Sequence, residues 1–110
     1  MKFRLPNKFT HTPEHMLRRA GYFYIFDKKS RQRSFIKKLT SQRYPRFHLY
    51  VTENSKEIIF DLHLDQSASR LKGQTAHRAD YESEEVKTEL TKIYHSVNQF
   101  QKSPPPESRR

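Results

Sequence analysis

The chain has 110 residues, 33% hydrophobic and 31% charged, with a mean hydropathy of −1.07, which fits one small domain and not two. Its formal charge is +10, and residues 1–46 carry thirteen Lys/Arg against Glu14 and Asp27, a net +11, while residues 47–110 come to −1. There is no run approaching the ~18 apolar residues of a membrane span, and with no cysteine there are no disulfides, thiol nucleophiles or thiolate metal sites.

Residues 1–11 read as an irregular basic arm without a secretory hydrophobic stretch, so the expected location is cytoplasmic. Thr12-Pro13-Glu14 predicts a helix start: Thr caps, Pro suits the first position and Glu meets the positive dipole end. Met16, Leu17 and Ala20 supply its apolar stripe, Arg18 and Arg19 face outward, and Gly21 is a natural terminator. Tyr22 to Phe26 is aromatic and β-branched and predicts a strand. Asp27 to Arg33 is a polar turn region, and Ser34 to Leu39 a return strand. The outer side of this first hairpin is expected to be crowded by Arg31, Arg33, Lys37 and Lys38. Thr40 to Pro45 is a connector, with Pro45 at a sheet edge or strand start.

The second hairpin is the clearest feature. Phe47, Leu49 and Val51 alternate with His48, Tyr50 and Thr52; Ile58, Phe60, Leu62 and Leu64 alternate with Ile59, Asp61, His63 and Asp65. The apolar faces meet only if opposed residue numbers sum to an odd value, 109 for a two-residue loop at Asn54-Ser55 or 111 for a four-residue loop. Either register gathers His48, Tyr50, Asp61, His63 and Asp65 on the other face. Residues 66–79 have no period and form a long connection. Ser83-Glu84-Glu85 opens a helix with Val86, Leu90, Ile93 and Val97 on one face. Residues 101–110, with Pro104-Pro105-Pro106, read as a disordered tail. The expected fold is α+β, ordered α-β-β-β-β-α over residues 12–100: a four-stranded, mostly antiparallel sheet of two hairpins, helices on one face and the other face open to solvent.

Two constellations could carry function. Tyr22, Tyr24, Arg33, Phe35, Lys37, Tyr44, Arg46, His48 and Tyr50 interleave rings and cations, the pattern by which single strands are stacked and neutralised. The expected nucleic-acid contacts are Arg18, Arg19, Arg31, Arg33, Lys37, Lys38, Arg43, Tyr44, Arg46, His48 and Tyr50. Arg33-Ser34-Phe35-Ile36-Lys37 resembles only loosely the RNP1 segment of RNA-recognition domains. The second group is His48, Asp61, His63 and Asp65, with His77 and Asp80 able to join from the long connection. Such residues can serve as general acid and base for phosphoryl chemistry, and His48, His63 and Asp65 are the candidate ligands for a divalent metal. The nearest analogy is the phosphoesterase domain of bacterial DNA ligases, through His63-Leu64-Asp65 and the spacing of His77 and Tyr81; a hydrogen-bonded polar sheet face is the plainer alternative. With Gly21 and Gly73 the only glycines, a glycine-rich phosphate loop cannot be built, so nucleotide-cofactor enzymes of the usual kinds are excluded and no cofactor is expected.

The segments Arg18-Arg19-Ala20-Gly21-Tyr22, Tyr44-Pro45-Arg46-Phe47-His48-Leu49-Tyr50, His63-Leu64-Asp65-Gln66 and Ala76-His77 followed by Tyr81 resemble those of a family of small uncharacterised bacterial proteins, over roughly residues 16–93. The resemblance implies a bacterial, cytoplasmic protein and brings no activity with it. The sequence alone favours a non-catalytic module for RNA or single-stranded nucleic acid. A metal-dependent His/Asp phosphoesterase or nuclease-like enzyme is the first alternative, and a protein-interaction module docking on an acidic or ribosomal partner the second.

Overall fold

The computed structural model describes residues 1–26, 28, 31–66 and 83–103. The expected connection beyond Gln66, with His77, Asp80 and Tyr81, and the tail from Pro104 onward lie outside these residues. The elements in chain order are β1 (Lys2–Pro6), α1 (Pro13–Arg19), β2 (Phe23–Phe26), β3 (Arg33–Lys38), β4 (Arg46–Glu53), β5 (Glu57–Asp65) and α2 (Glu84–Asn98). They form an α+β structure with one antiparallel sheet in the order β1-β5-β4-β3-β2.

The sheet has five strands, not the expected four. The extra one comes from the basic segment at residues 2–6: Phe3 pairs with Phe60 and Leu5 with Ile58, while Lys2 and Arg4 alternate to the opposite face. Phe3 stacks on Phe60 at 4.8 Å and meets Tyr94 of α2 edge-on at 5.3 Å. Charged residues and a terminating proline suit an edge strand, because they discourage further pairing on its free side. Gln101 and Lys102, expected to lie in the tail, are tied to the N-terminal segment. Phe9 and Gln101 form a bridge, the Gln101 side chain donates to the Pro6 carbonyl, and the Lys102 amide donates to that of Lys8.

From β2 to β5 the chain runs as a meander. Strands β4 and β5 pair in the 111 register, with Phe47 opposite Leu64, His48 opposite His63 and Tyr50 opposite Asp61. Their turn is fixed by Asn54, whose Oδ1 accepts the amide hydrogens of Lys56 and Glu57 at 2.8 and 3.0 Å. Strands β3 and β4 also pair directly, so the two expected hairpins are one continuous ladder.

One face of the sheet gives Phe35, Phe47, Leu49, Val51, Ile58, Phe60, Leu62 and Leu64 to a core shared with Met16 and Leu17 of α1 and Val86, Leu90, Ile93 and Val97 of α2. Each fully buried aliphatic or Phe side chain stabilises the fold by ~1.5–3 kcal/mol. Both helices start as expected. Thr12 Oγ1 accepts from the His15 amide and Ser83 Oγ from that of Val86. At the end of α1, Gly21 has φ +93°, a conformation that side chains disfavour, and it turns the chain into β2. Among the described residues no helix is long and apolar enough to cross a membrane.

The first hairpin corrects the expected placement of its cations. Register puts Arg33, Phe35 and Lys37 on the helix side and Ser34, Ile36 and Lys38 on the other. Phe35, fully buried, decides this parity and carries its two basic neighbours inward. The far face is not open throughout either. Ser34, between Ile25 and Tyr50 in the ladder, is 0% exposed, and His48, stacked on Tyr50, is 7% exposed.

Candidate nucleic-acid interface

The register gathers His48, Tyr50, Asp61, His63 and Asp65 on one face, together with Arg46. Asp65 Oδ2 is the hub: His48 Nδ1 lies 3.0 Å away and Arg46 Nε 3.4 Å. Burial alone would raise the Asp65 carboxyl, but the hydrogen bonds and charges of His48 and Arg46 outweigh it and hold the group below its ordinary value. His63 Nε2 lies 3.4 Å from Asp61 Oδ1. Burial pulls the His63 imidazole below its ordinary value, against the opposing pull of Asp61. The rings form a row, with His48 stacked on Tyr50 at 4.3 Å and Tyr50 edge-on to His63 at 5.1 Å.

Chemically, Asp65 orients the His48 ring through Nδ1. The other ring nitrogen, Nε2, is buried and has no hydrogen-bond partner among the described residues. Among those residues no group of three or more His, Asp or Glu is disposed to hold a metal ion. Asp65 and Asp61 are engaged by neighbours in their own sheet, and His77 and Asp80 lie outside the described residues.

The cations divide into two sets. Arg33 is engaged by Glu14 at 3.5 Å and also by Glu53, Lys37 by Glu89 at 3.0 Å, and Arg46 by Asp65. Arg4, not nominated from the sequence, pairs with Glu57 at 3.3 Å. Arg18, Arg19, Lys38 and Arg43 are exposed and make no ion pair among the described residues. These four come from α1, β3 and the β3–β4 connection, yet they share one end of the sheet. Phe23, four residues past Arg19, pairs with Ile36, and Lys38 pairs with Arg46. The acidic first turn of α2 also reaches this end. Glu84 and Glu85 line a cavity there with Lys37, Leu39 and Phe47. Arg31 is exposed, with φ 59°, at the opposite end of the sheet.

The rings sort differently from their sequence pattern. Tyr22 and Phe35 are core residues at 1% exposure each, so neither can stack on a ligand. Tyr44 lies beneath the Arg46 guanidinium, 4.8 Å from ring centroid to carbon. Tyr50 is half-buried in its row of histidines. Of the nominated rings, Tyr24 alone is well exposed. Among the described residues Phe23 at 63% and Phe26 at 57% are more exposed than Tyr24, and neither belongs to the basic-aromatic pattern of the sequence. A run of five aromatic and β-branched residues has no alternation to tell inward from outward, and only the position of β2 at the sheet edge exposes them.

Comparison with protein-family models, with curated proteins and with solved structures finds no match for this chain.

Proposed function

We propose that the protein is a non-catalytic nucleic-acid-binding module, for RNA or single strands in preference to duplex DNA, acting in a bacterial cytoplasm. One observation carries the reading: the segments that bear Arg18, Arg19, Lys38 and Arg43, four cations without an ion pair among the described residues, lead to the end of the sheet where Phe23 is exposed. Charges left unpaired on a small domain attract a polyanion and gain from counterion release. Among the described residues no long helix offers the basic face that a major-groove reader needs, since α2 begins Glu84-Glu85 and turns its apolar face to the core. In this reading the His48–Asp65 pair orders the sheet face and performs no chemistry.

The test is a fluorescence-anisotropy titration with a labelled single-stranded oligonucleotide. Binding of micromolar strength or better is expected at low salt. Four phosphate contacts to a single strand predict a slope near −2.8 in log affinity against log salt, a loss of about 50-fold between about 50 mM and about 200 mM. No binding at low salt overturns the reading. An acidic protein partner would use the same cations, and capture from nuclease-treated lysate separates the two, since only a protein partner survives the nuclease.

A further inference from the structure

We infer that the cavity between the start of β2 and the end of β3 is a subsite for one unpaired nucleobase. The inference rests on the nucleic-acid reading and names the part of the ligand that this site takes. The cavity, about 300 Å³, is lined by Gly21, Phe23, Ile36, Lys37 and Lys38, at the lower end of the ~300–1,000 Å³ typical of small-molecule sites. Phe23 and Ile36 are directly paired across the ladder and so project on the same face. A large ring left 63% exposed beside an aliphatic floor contributes little to the core; its free face is a stacking platform.

The two lysines have different roles. The Lys37 ammonium is held by Glu89 at 3.0 Å, so its charge is already balanced. Its Cδ and Cε lie 3.6 Å from where a Cβ on Gly21 would stand, so its methylene stem forms a wall. Lys38, exposed and without an ion pair among the described residues, lines the cavity, and the Gly21 amide donates to the Arg18 carbonyl, so α1 ends beside it. An apolar slot with one ring face and a lysine free of ion pairs among the described residues on its lining fits a flat heterocycle joined to a phosphate. Bases inside a duplex are already stacked and cannot present a face to Phe23, so the subsite selects single strands.

The experiment uses the full chain and the absence of tryptophan from it. Phe23→Ala and Phe23→Trp are titrated with a single-stranded oligonucleotide, its duplex, and an abasic phosphodiester chain of equal length. Phe23→Ala is expected to weaken single-strand binding about 5- to 100-fold and leave the abasic chain unchanged. Phe23→Trp is expected to restore binding, its fluorescence quenched by the base-bearing strand and not by the abasic one. The quenching decides the matter even if the alanine variant folds poorly. Unchanged affinity in Phe23→Ala, or an unquenched Phe23→Trp, with salt-sensitive binding intact overturns the subsite and leaves the polyanion reading standing. Loss of all binding at low salt in the unaltered chain overturns both.

Discussion

Lys37 of β3 and Glu89 of α2 meet at 3.0 Å, and the same carboxylate oxygen accepts the Tyr22 hydroxyl hydrogen at 2.8 Å. One acid, 6% exposed, thus fastens the long helix to β3 and to the residue that leads into β2. Removing one partner of a buried ion pair costs ~3–5 kcal/mol, because the other charge stays buried. Lys37 is about one-third open to water, which softens that penalty. Lys37→Met is expected to destabilise by about 1–3 kcal/mol. Glu89→Gln in the same chain should recover part of the loss, since the buried charge is gone. Urea denaturation of both single variants and the double variant measures the coupling. A Lys37→Met chain as stable as the parent would refute it.

The same contact predicts behaviour in alkali. Burial, then the Glu89 charge and hydrogen bond, push the Tyr22 phenol far above its ordinary value of 10.0. The unfolded chain therefore releases this proton first, so stability is complete below about pH 10 and falls as pH rises beyond it. Tyr22→Phe should flatten that decline, at a cost of ~1.5–3 kcal/mol at neutral pH for the lost bond to a charged acceptor. Denaturation midpoints followed from neutrality into alkali provide the check.

The His/Asp face governs the acid side. Folded His63 binds its proton less readily than the ordinary value of 6.5, so the unfolded chain takes the proton first and stability falls as pH drops below about that point. Asp65, held below its ordinary value of 3.8, contributes stability above that value and loses it as pH falls through the folded one. His63→Gln should flatten the profile between about pH 7 and about pH 5, and Asp65→Asn only the limb below. Thermal melts across this range separate the two.

The edge strand β1 yields a simpler expectation. Phe3 is half-buried against Phe60 and Tyr94. A fully buried Phe→Ala costs ~3–5 kcal/mol, so Phe3→Ala should cost about 1–3 kcal/mol. A dispensable arm would show no change in chemical denaturation.

Charge substitutions test the division of the cations. Lys38→Glu and Arg43→Glu should each weaken low-salt binding of single strands and reduce the magnitude of the salt slope by about 0.7. Arg33→Gln should leave that slope unchanged, because Glu14 and Glu53 already engage the guanidinium. Equal effects from all three would mean that the pairing in the fold does not decide which cations reach the ligand.

Much of the sheet was legible because alternation is a strong signal where it is clean. The 47–52 and 58–65 runs dictated both the pairing parity and the gathering of His48, His63 and Asp65. Lys2-Phe3-Arg4-Leu5 has the same alternation, hidden behind its charge. The fate of the cations was not legible. Phe35 and Ile36 are adjacent and both apolar, so β3 alone does not say which points inward, and Arg33 and Lys37 follow whichever residue wins. Their partners Glu14, Glu53 and Glu89 stand 19, 20 and 52 residues away in the chain. Such matches depend on tertiary packing, which local pattern does not encode.

The Asn54 turn has a consequence beyond its own four residues. A loop shorter by a single position would make the opposed numbers sum to an even value, setting Phe47 and Leu49 against the row that holds Asp61 and His63. The polar row of one strand would then be driven beneath the helices, or the greasy row of the other turned out to water. One carboxamide, by holding two amide hydrogens, thereby decides which of the molecule's two chemistries is kept inside.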